Sequence, residues 1–193
     1  DKAVDAFVKL IEVDVDTVET HLALGNLFRR RGEVDRAIRI HQNIIVRSGI
    51  TDDLRLLAYT ALANDYLHAG VLDRAEQVSL HLIKIGAESY EILNNLLKVY
   101  QKERKWEKAI QIAKKIEKFS SNSYSVEIAH YYSELADNMF HLGQYDKMQV
   151  YLKQALSFDA GSVRVHLLLI RIHINHKQYK KALNRCKNIE KNK

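Results

Sequence analysis

Apolar residues recur along this chain at the three- and four-residue spacing of amphipathic helices, and no stretch shows the alternation typical of a strand. In the first clear instance, Leu24 and Phe28 share one stripe of a first helix, and a second stripe begins at Ala37. Gly32 separates the two and can take the positive φ that ends a helix. Gly25 has no side chain, so a second helix can approach closely there. The pattern predicts a helix–turn–helix unit.

This unit recurs with a nearly fixed period. The small residue of the second helix reappears at intervals of 34, 38, 34, 39 and 34 residues, and its slot holds Ala3, Ala37, Ala75, Ala109, Met148 and Ala182. The aromatic slot of the first helix holds Phe28, Tyr66, Tyr100, Met139 and His173, and the turn slot holds Gly32, Gly70, Arg104, Gly143 and Lys177. A unit of about 34 residues with these features resembles the tetratricopeptide repeat.

That resemblance implies an all-α fold: a solenoid in which antiparallel helix pairs wind into a right-handed superhelix. We predict a single tetratricopeptide-repeat domain over residues 1–193, with one partial N-terminal repeat over residues 1–17 and five full repeats. The full repeats are predicted at about 18–51, 56–89, 90–123, 129–162 and 163–193. Helices are expected at 18–28, 34–47, 54–67, 72–85, 90–100, 106–118, 126–140, 145–156, 163–174 and 179–189.

Composition agrees with a globular helical array. The chain is 47% hydrophobic and 28% charged, and it contains no proline. No apolar run approaches the roughly 18 residues that would span a bilayer. The single Cys186 excludes an internal disulfide. Because the pattern from Asp1 to Val13 looks like a second helix without its first, we expect a soluble fragment of a longer protein.

Several segments are more specific than the generic repeat requires. These are LALGNLFRRRGEVDRAIRIHQ, DYLHAGVLDRAE, LLKVYQKERKWEKAI and VEIAHYYSELA, in which the charged positions match as well as the packing positions. They resemble the tetratricopeptide portion of the lipopolysaccharide assembly protein B family of Gram-negative bacteria. The resemblance extends from Asp1 to about Ala182.

The family resemblance implies a non-catalytic adaptor on the cytoplasmic side of the inner membrane. It implies as partners the membrane protease FtsH, the lipid A deacetylase whose degradation the family promotes, and other lipopolysaccharide-assembly proteins. The family also has an N-terminal membrane anchor and a C-terminal rubredoxin-like metal module with four cysteines. This chain has one cysteine, so we expect no cofactor in it. The alternative is a general tetratricopeptide protein-interaction module with unrelated partners.

Candidate chemistry is sparse. His173 and His176 are three residues apart on one predicted helix, and Cys186 follows. A zinc site normally takes four ligands, and no carboxylate lies near these three in sequence. His173 also occupies the inward aromatic slot, where a packed histidine is expected. Since no nucleophile triad order, phosphate loop or nucleotide fingerprint is present, we expect no enzyme and no metal site.

A peptide groove is the better candidate for function. In stacked repeats the first helices line the concave face, and their side chains that are not needed for packing face a groove. Asparagine amides there can hold the backbone of an extended partner, although such residues can also be merely solvated. Leu22 and Thr60 stand where chaperone-binding repeats place a cation, so we expect no terminal-carboxylate clamp. The predicted groove residues are Asn26, Arg29, Arg30, Asn64, His68, Asn94, Asn95, Lys98, Asp137, His141 and Arg171.

The C-terminal end of the chain is basic. Residues 160–189 contain seven Lys or Arg and no Asp or Glu, in a chain whose net charge is +6. This end could meet anionic lipid headgroups or an acidic partner, or be a solvated helix face. Nucleic acid is not expected, because no recognisable module is present. Exposed repeat faces could also pair two copies of the chain. The predicted basic surface comprises Arg164, Lys177, Lys180, Lys181, Arg185 and Lys187.

Overall fold

The computed structural model describes residues 17–120 and 123–191, and within those ranges the regular elements are all helices. They are α1 (Val18–Arg30), α2 (Val34–Val46), α3 (Asp52–Ala69), α4 (Leu72–Lys84), α5 (Tyr90–Lys102), α6 (Trp106–Ile116), α7 (Ser125–His141), α8 (Tyr145–Phe158), α9 (Val163–Asn175) and α10 (Tyr179–Lys191). The predicted all-α class is confirmed. Residues 1–16 of the predicted partial repeat lie outside the described residues.

The predicted helix bounds agree with the structure to within a few residues. The largest differences are of two residues, for example at the start of α3, which begins at Asp52, and at the end of α6, which stops at Ile116. For α3 the reason is a cap: the Thr51 hydroxyl accepts a hydrogen bond from the backbone N–H of Leu54 at 3.4 Å. This bond replaces one that the first turn of a helix cannot make internally.

The helices form two compact units, residues 1–103 and residues 104–193. In the first unit, each of α1 to α4 packs on the helix that follows it, and α3 also contacts α1 and α5. In the second unit, α6 packs on α7, α7 on α8 and α9 on α10, while α9 also contacts α7 and α8. The first helices of successive repeats therefore lie side by side within each unit. The prediction of a single domain over residues 1–193 stays a prediction.

The five turns within the helix pairs repeat one backbone geometry. The slot assigned to the turn glycine has positive φ in every case: Gly32 82°, Gly70 75°, Arg104 55°, Gly143 69° and Lys177 58°. At Gly32, Gly70, Gly143 and Lys177, the residue after the slot donates a backbone hydrogen bond to the residue in the aromatic slot; an example is Gln178 N to His173 O at 2.7 Å. This is the bond that closes a Schellman-type helix end. The predicted turn slots, including the two without glycine, are confirmed.

The small-residue slot is also confirmed where the structure describes it. Ala37, Ala75 and Ala109 are completely buried, and Met148 and Ala182 are buried as well. Each lies in the second helix of its pair, so the periodic alanine marks close contact between helices. No helix in the described ranges combines the length and the apolar character needed to cross a membrane.

Helix starts differ between the first and second helices of the first unit. The hydroxyls of Thr17, Thr51 and Ser89 accept backbone hydrogen bonds at the starts of α1, α3 and α5. At the starts of α2 and α4, Glu33 and Val71 make no side-chain cap bond. The second helices therefore begin directly from the tight turn, without a side-chain acceptor of their own.

Replacing Lys177 by glycine should stabilise the protein. The left-handed conformation costs a non-glycine residue about 1–2 kcal/mol, and glycine gives back part of this gain because it is more flexible in the unfolded chain. We expect Lys177→Gly to raise the free energy of unfolding by about 0.5–1 kcal/mol in chemical denaturation.

The matched control is Lys153→Gly, at an exposed position inside α8. There glycine should lower the stability by about 1 kcal/mol. Equal destabilisation by both substitutions would contradict the conclusion that the Lys177 slot requires a left-handed residue.

Candidate functional site

Most of the predicted groove residues of the first unit lie on the surface that α1, α3 and α5 share, which we call the first-helix face. Arg30, His68 and Lys98 are exposed, and Asn26 and Asn94 are half-buried. The side-chain amide of neither Asn26 nor Asn94 makes a hydrogen bond within the part of the chain that the structure describes. Their amides therefore keep donors and acceptors for a partner.

Asn64 and His68 are linked to each other and to α5. The Asn64 amide Nδ2 donates to Glu91 Oε1 at 2.8 Å and to the carbonyl oxygen of Thr60 at 3.2 Å. The His68 ring nitrogen Nδ1 donates to the carbonyl oxygen of Asn64 at 2.8 Å. Asn64 thus bridges α3 and α5 instead of presenting a free amide. His68 is held in one ring orientation, and its Nε2 makes none of these bonds.

The structure corrects the placement of Asn95. It was predicted to face the groove, but its side chain is buried, with a relative exposure of 3%. Asn95 lies three residues after Ile92 and four before Val99, so helical periodicity places all three on the inward stripe of α5. Its Nδ2 has no hydrogen-bond partner among the residues that the structure describes. Asn95 is a buried polar group of the packed interior and not part of the first-helix face.

Arg29 also differs from the expectation that it is not needed for packing. Its Nη1 donates to Asp65 Oδ1 at 2.8 Å and to the carbonyl oxygen of Ala61 at 3.4 Å, and only 15% of its side chain is exposed. Asp65 itself is completely buried. Since removing one partner of a buried ion pair leaves an uncompensated charge, Arg29 is a structural residue that ties α1 to α3.

The same carboxylate binds a histidine that the sequence analysis did not single out. His41 of α2 is fully buried, and its Nδ1 donates to Asp65 Oδ2 at 2.5 Å. Its Nε2 lies 3.4 Å from the carbonyl oxygen of Leu22. The ring lies against Gly25, where an added Cβ would be 2.4 Å from His41 Nε2. The sequence signal for this network was Asp65, a charged residue on the inward stripe of α3, three residues after the buried Leu62.

A pocket opens at the C-terminal ends of α3 and α5. It has a volume of about 330 Å³ and is lined by Leu67, His68, Lys98, Gln101 and Lys102. Both lysines are exposed, and neither forms an ion pair within the described part of the chain. The pocket therefore combines one apolar wall with a concentration of positive charge. Of its lining residues, the sequence analysis had identified His68 and Lys98.

The second unit has a different charge arrangement on α7 and α9. Arg171 forms an ion pair with Asp137 and lies 5.3 Å from the centre of the Phe140 ring, while Arg164 forms an ion pair with Glu134. His141 Nε2 is 3.6 Å from the same Asp137. Asp137, His141 and Arg171, which were predicted to face the groove, therefore lie close together, and their charged groups pair with one another. They border a pocket of about 260 Å³ lined by Ser133, Asp137, Arg164, Leu167, Leu168 and Arg171.

Only some residues of the predicted basic surface have side chains without a partner among the described residues. Besides the paired Arg164, Arg185 is half-buried, and its Nη1 donates to Nδ1 of His166 at 3.1 Å. The exposed members of the predicted set are Lys177, Lys180, Lys181 and Lys187. A lipid-binding or acidic-partner role for this surface stays a prediction.

The three residues considered as metal ligands, His173, His176 and Cys186, have separate surroundings. His173 Nδ1 donates to Gln178 Oε1 at 3.1 Å, and the His176 ring packs edge-on against Tyr145 at 5.4 Å between ring centres. Cys186 is a half-buried free thiol. Among the described residues, no group of three or more His, Cys, Asp or Glu side chains could hold a metal ion.

Two titratable side chains, the buried Tyr100 and the half-buried His130, have shifted pKa values. Burial and a hydrogen bond to Glu76 Oε1 at 2.9 Å raise the pKa of Tyr100, so its hydroxyl stays protonated and donates to that carboxylate. Burial, and then the positive charge of Arg164, lower the pKa of His130 below its ordinary value of 6.5. The His130 ring packs edge-on against Trp106 at 6.1 Å between ring centres.

Comparison with known proteins supports both the fold and the sequence resemblance. A family model described as tetratricopeptide repeat matches residues 20–49, the region of α1 and α2. Lipopolysaccharide assembly protein B of Escherichia coli strain K12 is 42% identical over 188 residues, which cover 95% of this chain and 47% of that protein. The Haemophilus influenzae protein of the same name is 36% identical over 197 residues, covering 98% of this chain and 50% of that protein. The chain spans about half the length of the curated relatives it matches.

Solved structures show the same fold at low sequence identity. The crystal structure of YrrB, a TPR protein with an unusual peptide-binding site, matches with a TM-score of 0.55 at 16% identity, over 96% of this chain and 91% of that one. The crystal structure of MamA matches with a TM-score of 0.56 at 16% identity, over 89% of each chain. These similarities, the repeat match and the helix pairs confirm the tetratricopeptide-repeat fold.

The contact at Gly25 yields a stability prediction. In Gly25→Ala the new methyl group would overlap the buried His41 ring, so the ring must move and weaken its bond to Asp65. We expect the free energy of unfolding to fall by about 1–3 kcal/mol in chemical denaturation.

Gly161→Ala is the matched control, because the nearest atom to its added Cβ is a side-chain oxygen of Asp159 at 3.5 Å, an ordinary contact. It should be close to neutral. A double-mutant cycle with His41→Ala should show strong coupling to Gly25→Ala. Additive effects would mean that the two residues do not share this contact.

The lowered pKa of His130 predicts a pH-dependent stability. Because the folded-state pKa lies below the unfolded value of about 6.5, the unfolded chain takes up this proton first as the pH falls. The contribution is therefore fully present above pH 6.5 and declines below it, until the folded-state histidine also protonates. We expect His130→Gln, measured by denaturation between pH 7.5 and 5, to flatten this part of the profile. Identical pH slopes in the two proteins would refute this assignment.

Proposed function

Because this chain is a homologue of the lipopolysaccharide assembly protein B family across the tetratricopeptide repeats, we propose that it is a non-catalytic adaptor that binds partner proteins through its first-helix face. The proposed partners are the lipid A deacetylase and the membrane protease FtsH. The adaptor would bring the first to the second on the cytoplasmic side of the inner membrane, and so restrain lipopolysaccharide synthesis.

The observation that carries this proposal is the row of unused polar groups on the first-helix face. Asn26 of α1 and Asn94 of α5 flank α3 and keep their amides free of hydrogen bonds within the described residues. Exposed Arg30 and Lys98 accompany them on the same two helices. Amides spaced along neighbouring helices can pair with the backbone of an extended segment, while the cations can meet its acidic side chains.

The interior of the same unit supports a rigid presentation of that face. Asp65 joins Arg29 of α1 to His41 of α2 from its position on α3, and Asn64 joins α3 to α5 through Glu91. Side-chain bonds thus link neighbouring first helices beneath and beside the free groups. A face held in this way loses less conformational entropy when it binds a partner.

A general protein-interaction module with unrelated partners is the second candidate. The fold supports it, because tetratricopeptide structures that share about 16% identity with this chain have the same architecture, and a fold alone does not select a partner. Capture from a Gram-negative lysate separates the two readings. Retention of the deacetylase and the protease supports the adaptor in lipopolysaccharide synthesis, and their absence favours the general module.

Replacing Asn26 and Asn94 together by alanine tests the face directly. The free energy of unfolding should change by less than about 0.5 kcal/mol for each substitution, since neither side chain is fully buried or hydrogen-bonded within the described residues. Affinity for the purified deacetylase, measured by biolayer interferometry with the 193-residue chain immobilised, should fall about tenfold through the loss of two hydrogen bonds. In cells, the same changes should raise the level of the deacetylase.

The control removes two exposed amide side chains from second helices, with Asn43→Ala on α2 and Gln77→Ala on α4. This variant should bind like the wild type. If both double variants keep wild-type affinity while wild type binds the deacetylase, the first-helix face is not the binding surface.

A further inference from the structure

The second unit carries its positive charge on its second helices. These helices, α6, α8 and α10, contain nine Lys and one Arg but only three Asp or Glu. The first helices α7 and α9 contain two Arg and three Asp or Glu, and both arginines pair with acids on α7. In the first unit, the second helices α2 and α4 are close to neutral, with four Lys or Arg and three Asp or Glu. The excess of positive charge therefore belongs to the second helices of one unit.

One slot of the repeat holds lysine in all three of these helices. The slot lies five residues after the periodic small residue, and it contains Lys114, Lys153 and Lys187, all of which are exposed. In the first unit the same slot holds Gln42 and Leu80. Because the helix pairs of a repeat array stack in the same way, equivalent slots of successive second helices lie on the same side of the stack. The three lysines therefore form a row, which we call the lysine row.

The lysine row has no acidic partner. None of its three side chains forms an ion pair within the described residues. The ammonium group of Lys114 lies 5.2 Å from the centre of the Phe158 ring, a contact that positions the charge without neutralising it. Glu107 of α6 and Asp146 of α8 lie seven residues before the row, which is about 10 Å along the helix axis. The row is therefore available to an anion from outside the chain.

Exposed apolar side chains lie beside the lysine row. Val150 lies three residues before Lys153 and is 53% exposed, and Leu183 lies four residues before Lys187 and is 56% exposed. Residues at these spacings are neighbours on the surface of a helix. Phe119, which follows α6, is 52% exposed. This combination of cations and apolar groups is typical of helices that bind at the boundary between lipid headgroups and acyl chains.

We propose that the lysine row and the apolar residues beside it form a surface that binds the anionic phospholipids of a membrane. The positive charge would attract the chain to a negatively charged bilayer, and the apolar side chains would enter the headgroup layer. Unlike the basic end predicted from the sequence, this surface extends over three helices and excludes Arg164 and Arg185, which have partners within the chain. It involves neither α7 nor α9, so it does not rest on the proposed function.

The residue types favour a lipid surface over nucleic acid. The ammonium group of lysine is a compact point charge, which attracts a dense negative surface without a fixed geometry. Arginine is the usual choice where phosphates and bases are recognised by paired hydrogen bonds. Among α6, α8 and α10 the single arginine is Arg185, which is half-buried and donates to His166.

Co-sedimentation of the 193-residue chain with vesicles tests the proposal. One set of vesicles contains equal parts of phosphatidylglycerol and phosphatidylcholine, and the other contains phosphatidylcholine alone. The chain should bind the first set about 100-fold more tightly, because each of the three lysines interacts favourably with an anionic surface. Added salt should release it, since ions screen this attraction.

Variants of the lysine row locate the binding. Lys114→Gln, Lys153→Gln and Lys187→Gln together should lower the affinity for the anionic vesicles about 100-fold. Arginine at the same three positions keeps the charge and should keep the affinity. Lys153→Gln alone leaves the contact between Lys114 and Phe158 intact and should weaken binding about fivefold. Circular dichroism and thermal melting establish that each variant is folded.

The charge-matched control is Arg39→Gln with Arg74→Gln and Lys84→Gln, at exposed positions on α2 and α4. It lowers the net charge by the same amount and should bind vesicles like the wild type. Equal loss in the control and in the lysine-row variant would overturn the proposal, because net charge alone would then explain the binding.

Other outcomes would overturn the proposal as well. These are equal binding to both sets of vesicles, no binding to either, and binding that is unaffected by salt. A single-stranded oligonucleotide and a polyglutamate peptide serve as competing probes. If the chain binds one of them through the lysine row and does not bind vesicles, the row is a site for nucleic acid or for an acidic protein and not for a membrane.

Discussion

The close approach of α1 and α2 at Gly25 allows α1, α2 and α3 to share one buried hydrogen-bond network. With no side chain at that position, the imidazole of His41 occupies the space against α1 and reaches the carboxylate of Asp65 on α3. Arg29 approaches the same carboxylate from α1. Three helices therefore meet at one buried acid. Burying a carboxylate is costly unless it is paired and hydrogen-bonded, and here two side chains supply both.

The fold was predictable because it depends on local, repeated features. Buried alanines at a fixed interval and the residues of the tight turns identify the helix pairs, and both sets are found where the period places them. Even Arg104 and Lys177, which lack the flexibility of glycine, take the left-handed conformation. The geometry of the turn is thus set by the helix pair as a whole, and position in the repeat was a better guide than residue type.

The candidate site was less predictable, because its side chains act across helices that are distant in sequence. Asn95 and Asn94 are neighbours in the chain, yet only Asn94 is accessible, since one step along a helix turns a side chain by about 100°. The sequence does not show that Arg29 pairs with the buried Asp65, because the two residues lie on different helices. Similarly, the pairing of Arg164 and Arg171 with acids on α7 depends on contacts between helices that spacing along one helix does not contain.

The hydroxyl groups at the starts of α1, α3 and α5 have a consequence for how the chain acquires its structure. Helix formation is limited by its nucleus, and a side-chain acceptor at the first turn lowers that barrier without any help from distant contacts. Thr17, Thr51 and Ser89 give the first unit three such local starting points. At the start of α7 the Ser123 hydroxyl accepts a hydrogen bond from the backbone N–H of Ser125 at 3.3 Å, whereas Ser162, which precedes α9, makes no side-chain cap bond within the described residues. In the first unit, local hydrogen bonds therefore support the start of every first helix independently of packing, whereas the start of α9 relies on packing.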